Sequence, residues 1–149
     1  MEGKTAYAII VSKPGYMPEH KPYYVVGSEA ALDALHGELE VTATCLNPDE
    51  DPPAVDSVPA AVEYAGYVHE AIPVGLSVPG KALRLDRDVY AVGEHIVHVE
   101  RGLDDSGGYW VVRPVDESGN IVWKQAVTMK VYSQNTAAVI GAKKLFSEN

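Results

Sequence analysis

The segment from Tyr109 to Tyr132 constrains the fold more than any other. Two runs rich in β-branched and aromatic residues, Tyr109 to Val115 and Ile121 to Tyr132, flank the cluster Asp116-Glu117-Ser118-Gly119-Asn120. A polar, glycine-bearing break between two such runs is a strong short-range mark of a hairpin. In the second run Ile121, Trp123, Val127, Met129 and Val131 share one parity while Lys124, Thr128 and Lys130 share the other, as a strand with one buried face requires. For Trp110 and Val112 to join that face with Arg113 outside it, Val112 is expected opposite Trp123. A slip of one residue would set Arg113 against Trp123 instead.

The remaining elements are read around this hairpin. Thr5 to Ser12 and Pro22 to Gly27 carry strand propensity, and the connection between them, with Pro14, Gly15 and Pro18, suits a loop. The two strands are expected to pair. Ser28 stands where a helix cap should be, Glu29 suits the first turn, and Gly37 is expected to end a short helix with Ala31, Leu32 and Leu35 inward. Leu39, Val41 and Ala43 alternate as in a strand over Glu38 to Thr44, and the Pro-rich acidic stretch at 46–57 is read as a loop. From Ser57 and Pro59 the spacing of Ala61, Val62, Ala65, Val68 and Ile72 favours a helix over 59–72, although Val62, Tyr64, Gly66 and Val68 also alternate. Short strands with turn signals follow from Leu76, and Thr136 to Phe146 is expected to form a C-terminal helix packing through Ala138, Val139, Ala142, Leu145 and Phe146.

The expected fold is therefore α+β: an N-terminal β-hairpin with a short helix, a β-rich C-terminal half forming an antiparallel sandwich or partial barrel, and a C-terminal helix. At 149 residues the chain fits a single compact domain, 1–149. A sub-boundary is expected at 46–57, between a ββα unit (1–45) and a β-rich unit (58–149). The run Val89-Tyr90-Ala91-Val92-Gly93-Glu94-His95-Ile96-Val97 resembles the opening strands of bacterial immunoglobulin-like modules. That resemblance spans at most Ala82 to Tyr132 and implies short antiparallel strands; the cysteine pair of many such modules is missing.

Charge is distributed unevenly. The net charge is −9, and from Pro22 to Gly80 there is no Lys or Arg, while Glu29, Asp33, Glu38, Glu40, Asp49, Glu50, Asp51, Asp56, Glu63 and Glu70 all fall there. Such a segment repels nucleic acid and anionic membrane and attracts cationic protein surfaces. The lone Cys45 and the absence of a long apolar run place the chain in the cytoplasm as a soluble protein.

Catalytic patterns fail one after another. His95 and His98 would face one metal on a helix, but on a strand they point to opposite faces. Glu94, His98 and Glu100 share a face, yet a flat strand spreads them apart. Cys45 lacks a recognisable partner, Ser77 lacks the second glycine of a nucleophile elbow, and no phosphate-cradling glycine loop occurs. Asn47, Asp49 and Asp51 start like a calcium loop, but Pro52 occupies the position where glycine must turn the chain. No catalytic residue, metal site or cofactor is expected.

Nine tyrosines against one phenylalanine favour rings with one buried and one wet end. Four of them, Tyr23, Tyr24, Tyr64 and Tyr67, lie in the segment without cations. The resulting expectation is a non-catalytic binding or assembly protein: an inhibitor, a nucleic-acid mimic or a subunit of a larger assembly. Tyr23, Tyr24, Glu29, Asp33, Asp49, Glu50, Asp51, Tyr64 and Tyr67 would meet a basic protein surface or a second copy of the chain, with no nucleic acid or membrane partner. The alternative is a small-ligand or carbohydrate-binding sandwich, or a metal-assisted enzyme, with a His/Glu site near 94–100.

Overall fold

The computed structural model describes residues 3–13, 22–49, 51–53, 61–116 and 119–146. It is a β-rich α+β fold with two antiparallel sheets, one of four strands and one of five, a helix in each half, and no barrel closure among the described residues. By its internal contacts the chain divides into two compact units, Thr5–Val74 and Met1–Lys4 with Gly75–Asn149.

In the first unit β1 (Lys4–Ser12) pairs antiparallel with β2 (Tyr23–Val26), as the sequence predicts, with Tyr7 opposite Val25 and Ile9 opposite Tyr23. Helix α1 (Ser28–Leu46) then runs for 19 residues, straight through Gly37. The expected strand over Glu38 to Thr44 is thus corrected to helix. Two patterns compete in this stretch, and spacing by four wins over spacing by two: Ala31, Leu35, Leu39 and Ala43 are buried in a row, while Val41 is 61 % exposed. Full burial of Leu35 and Leu39 contributes roughly 1.5–3 kcal/mol each, and only a continuous helix places both on the sheet. Gly37 lies on the outer face with open space around it, so nothing there stops the helix.

The helix expected over 59–72 is also corrected. Residues 61–72 form β3 (Val62–Tyr64) and the start of β4 (Tyr67–Ser77), joined by a two-residue turn at Ala65-Gly66. Both turn residues have positive φ, 52° and 85°, as a type I′ hairpin demands. Helical spacing in the sequence concealed the hairpin because alanine is an uncommon left-handed residue. The expected start at Ser57 and Pro59 lies outside the described residues, as do Lys-Pro-Gly-Tyr-Met-Pro-Glu-His at 13–20 apart from Lys13, and residues 50 and 54–57 of the 46–57 boundary. The sheet order is β2-β1-β4-β3. Tyr7, Ile9, Tyr64 and Ala71 form its core with the buried row of α1.

In the second unit the order is β5-β6-β7-β8-β9, comprising Ala82–Asp86, Val89–Val92, His95–Asp104, Gly107–Pro114 and Val127–Met129. Helix α2 (Gln134–Phe146) packs Ala137, Ala138 and Ala142 against Tyr90, Val92, Val97, Val99 and Val112. Short antiparallel strands thus form over Ala82–Met129, with helix α2 covering the sheet face that carries Val97 and Val99. Gln134 fastens the start of α2: its Nε2 donates to Asp88 Oδ1 at 2.7 Å and to the Val99 carbonyl at 2.9 Å, and its Oε1 accepts from the Tyr90 hydroxyl at 2.8 Å.

The long hairpin closes as expected around Asp116, whose carboxylate accepts from the Asn120 amide at 2.9 Å, but its register differs. Val112 faces Val127 and Trp110 faces Met129. After the bridge between Val115 and Ile121, the Gln125 amide bonds back to the Val122 carbonyl at 3.3 Å and closes a turn. That turn shifts the pairing by an even number of residues, so Val127, Met129 and Val131 still face the core. Trp123, expected inside, sits in the turn and is 64 % exposed.

Candidate functional site

The two units differ completely in charge. Between Thr5 and Val74 there are two basic and eleven acidic residues, a net −9, whereas ten of each leave the other unit neutral. The ion pairs Lys4–Glu94, Arg113–Glu100 and Lys130–Asp104 all belong to the neutral unit.

Helix α1 displays much of the acidic charge. Glu29, Asp33 and Glu40 are exposed on it, and at 100° per residue their spacings place them within about 40° of arc, along roughly 16 Å of helix. No basic residue occupies the last turn, so the partial negative charge of the helix C-terminus is left uncompensated there. Exposed Asp49 and Asp51 follow directly after the Asn47 cap; Glu50 lies outside the described residues.

The tyrosines do not form one face. Tyr23 and Tyr24 are half-buried on β2, at one edge of the sheet, whereas Tyr64 is on β3 at the opposite edge, three strand spacings or about 14 Å away. Tyr64 is 8 % exposed and belongs to the core, with its hydroxyl accepting a long bond of 3.5 Å from Asn47 Nδ2. Tyr67, across the turn from it, carries the Lys13 ammonium 5.2 Å from its ring centre. Tyr23 donates to Glu38 Oε1 at 2.9 Å, and burial together with that carboxylate pushes its hydroxyl pKa far up.

One cluster escaped the sequence reading. His69 is fully buried on β4, and its Nε2 lies 2.9 Å from Thr42 Oγ1 on α1. Thr42 donates its hydroxyl proton to the Glu38 carbonyl at 2.9 Å, so the contact with His69 falls on the Thr42 oxygen. Nδ1 is enclosed without a hydrogen-bond partner. Desolvation lowers the His69 pKa, with the Val62 backbone and the Glu38 charge pulling weakly the other way. Thr42 resembles a nucleophile beside a base only superficially, since its proton is committed to the helix backbone. The strand alternation through Val62, Tyr64 and Val68 was the one available signal for this arrangement.

At 94–100 the carboxylates are already engaged. Glu94 sits in the β6–β7 turn against Lys4, which holds its carboxyl below the usual range, and Glu100 accepts from Arg113 Nη1 at 2.9 Å. His98 is half-buried opposite Arg113 on β8. Among the described residues no group of three His, Cys, Asp or Glu side chains converges as metal ligands. No helix among them is long and apolar enough to cross a membrane. Compared with protein families, curated proteins and solved structures, the chain matches none.

Proposed function

We propose that this chain is a non-catalytic binding or assembly protein whose acidic unit, Thr5–Val74, engages a basic protein surface. The observation that carries this reading is the segregation of charge: the whole net −9 resides in one compact unit. Potential concentrated in this way raises encounter rates with cationic partners and disfavours anionic ones. The outer face of α1, with Glu29, Asp33 and Glu40, is the contact surface, and the partly accessible Tyr23 and Tyr24 offer rings on which arginine stacks.

The test is capture from the source organism's extract at low salt with the wild-type chain and with a Glu29→Gln, Asp33→Asn, Glu40→Gln variant. A basic partner is expected, released by 0.5 M salt. With each exposed charge contributing about 0.5 kcal/mol, the triple variant should bind it about tenfold more weakly. Equal binding by the variant, or a complex indifferent to salt, overturns the proposal.

A further inference from the structure

A cavity of about 470 Å³ lies between the C-terminal half of α2 and two turns, the β4–β5 connection at Pro79-Gly80 and the β6–β7 turn at Gly93-Glu94. Its size falls within the roughly 300–1,000 Å³ of small-ligand sites. The surrounding parts are fixed to one another. Ser77 Oγ donates to the Gly93 carbonyl at 2.6 Å and ties the two turns together, and the His95 ring lies flat on the Phe146 ring, with 3.9 Å between centres and 4° between planes. Gly80 turns the backbone at a φ of 79°, and a Cβ built on it would meet no atom within 4 Å, so the cavity is open at that corner. Its apolar walls are Pro79, Val92, Val139, Ala142 and Phe146.

Three ionisable side chains also line the cavity: Glu94, His95 and Lys143. Glu94 is already paired with Lys4, and His95 is held in its stack on Phe146. Lys143 is exposed and has no acidic partner among the described residues. It shares the last turn of α2 with Lys144, where two ammonium groups more than offset the roughly half negative charge of a helix C-terminus. The charge left over at the cavity is therefore positive. We propose that this cavity binds a small monocarboxylate with an apolar body, the body against Val139, Ala142 and Phe146 and the carboxylate on the Lys143 ammonium. A cation would oppose Lys143, and a neutral apolar molecule would leave that ammonium without a counter-charge. A strongly polar anion would give up its hydration to walls that return no hydrogen bond. The unit that holds the cavity has no net charge, so its field does not oppose an anion as that of the acidic unit does.

The experiment follows the full chain by ¹⁵N NMR during titration with hexanoate and phenylacetate, and with hexanol and 2-phenylethanol as their uncharged counterparts. The Gly80 and Gly93 amides report on the cavity they line. The Trp110 indole, whose Nε1 donates to the Val131 carbonyl at 3.1 Å, lies outside the lining and is the internal control. Both carboxylates are expected to shift the Gly80 and Gly93 signals saturably, with Kd on the order of millimolar, and to leave Trp110 unmoved; the alcohols should bind about fivefold more weakly. Lys143→Gln should bring the carboxylates down to the level of the alcohols, while Lys144→Gln, outside the lining, should bind them as the wild type does. The proposal fails if neither carboxylate gives a saturable shift up to about 20 mM, or if the alcohols bind as tightly as the carboxylates. It also fails if Lys143→Gln binds as the wild type does, or if Lys144→Gln loses as much as Lys143→Gln.

Discussion

His69 illustrates how one side chain can tie stability to pH. Its imidazole is enclosed in the core on β4 against Thr42 of α1, and desolvation lowers its pKa from the ordinary value of about 6.5. Well above pH 6.5 neither the folded nor the unfolded chain protonates it, so its contribution to stability is fully present. As pH falls below 6.5 the unfolded chain takes up the proton first, and stability drops by at most about 1.4 kcal/mol per pH unit. Urea unfolding between pH 7.5 and 5 should show this loss, and His69→Gln, which keeps a donor for Thr42, should flatten the slope between pH 6.5 and 5.5. A variant with the wild-type slope would place the titration elsewhere. The sequence shows His69 beside Glu70, but its true neighbour Thr42 lies 27 positions away. No local pattern reveals a pairing between elements at that separation. Trp123 was hidden for a different reason: its parity matches that of Val127 and Met129, and only the intervening turn takes it off the buried face.

At the scale of elements, legibility followed the uniqueness of the pattern. β1, β2 and α2 each present one periodicity, and each forms where the sequence predicts. Residues 38–44 present two. There helix formation wins because Leu39 and Ala43 extend the row begun by Ala31 and Leu35, and a strand would have separated them from it. The hairpin at Ala65-Gly66 shows the converse, with tertiary pairing of Val62 to His69 overriding a helical spacing. Packing of α2 on its sheet yields a direct prediction. A Cβ built on Gly141 would stand 2.5 Å from the side chain of Val112, too close without moving the helix. Gly141→Ala gains about 1 kcal/mol in helix propensity, but overpacking of this order costs about 1–3 kcal/mol, so the net effect should be destabilising. Denaturant unfolding of Gly141→Ala, Val112→Ala and the double variant should show that the second change relieves part of the first, so that the losses are less than additive. Full additivity would mean that the two Val112 methyl groups take no part in the clash.

For the molecule as a whole, the sequence shows the acidic segment plainly, but not that folding would gather it into one unit and leave the other neutral. Like charges confined in a compact unit repel one another, and salt at 0.1 M screens such repulsion beyond about 10 Å. Raising salt from 10 to 300 mM should therefore increase amide-exchange protection in residues 5–74 more than in residues 75–149. Equal gains in both would show that the segregated charge has no energetic consequence. The same arrangement of strands bears on self-association. Among the described residues the four outermost strands are β2, β3, β5 and β9, of four, three, five and three residues. Such short margins leave few unpaired amides for another chain to extend, so neither sheet offers much of a template on which a fibre could grow.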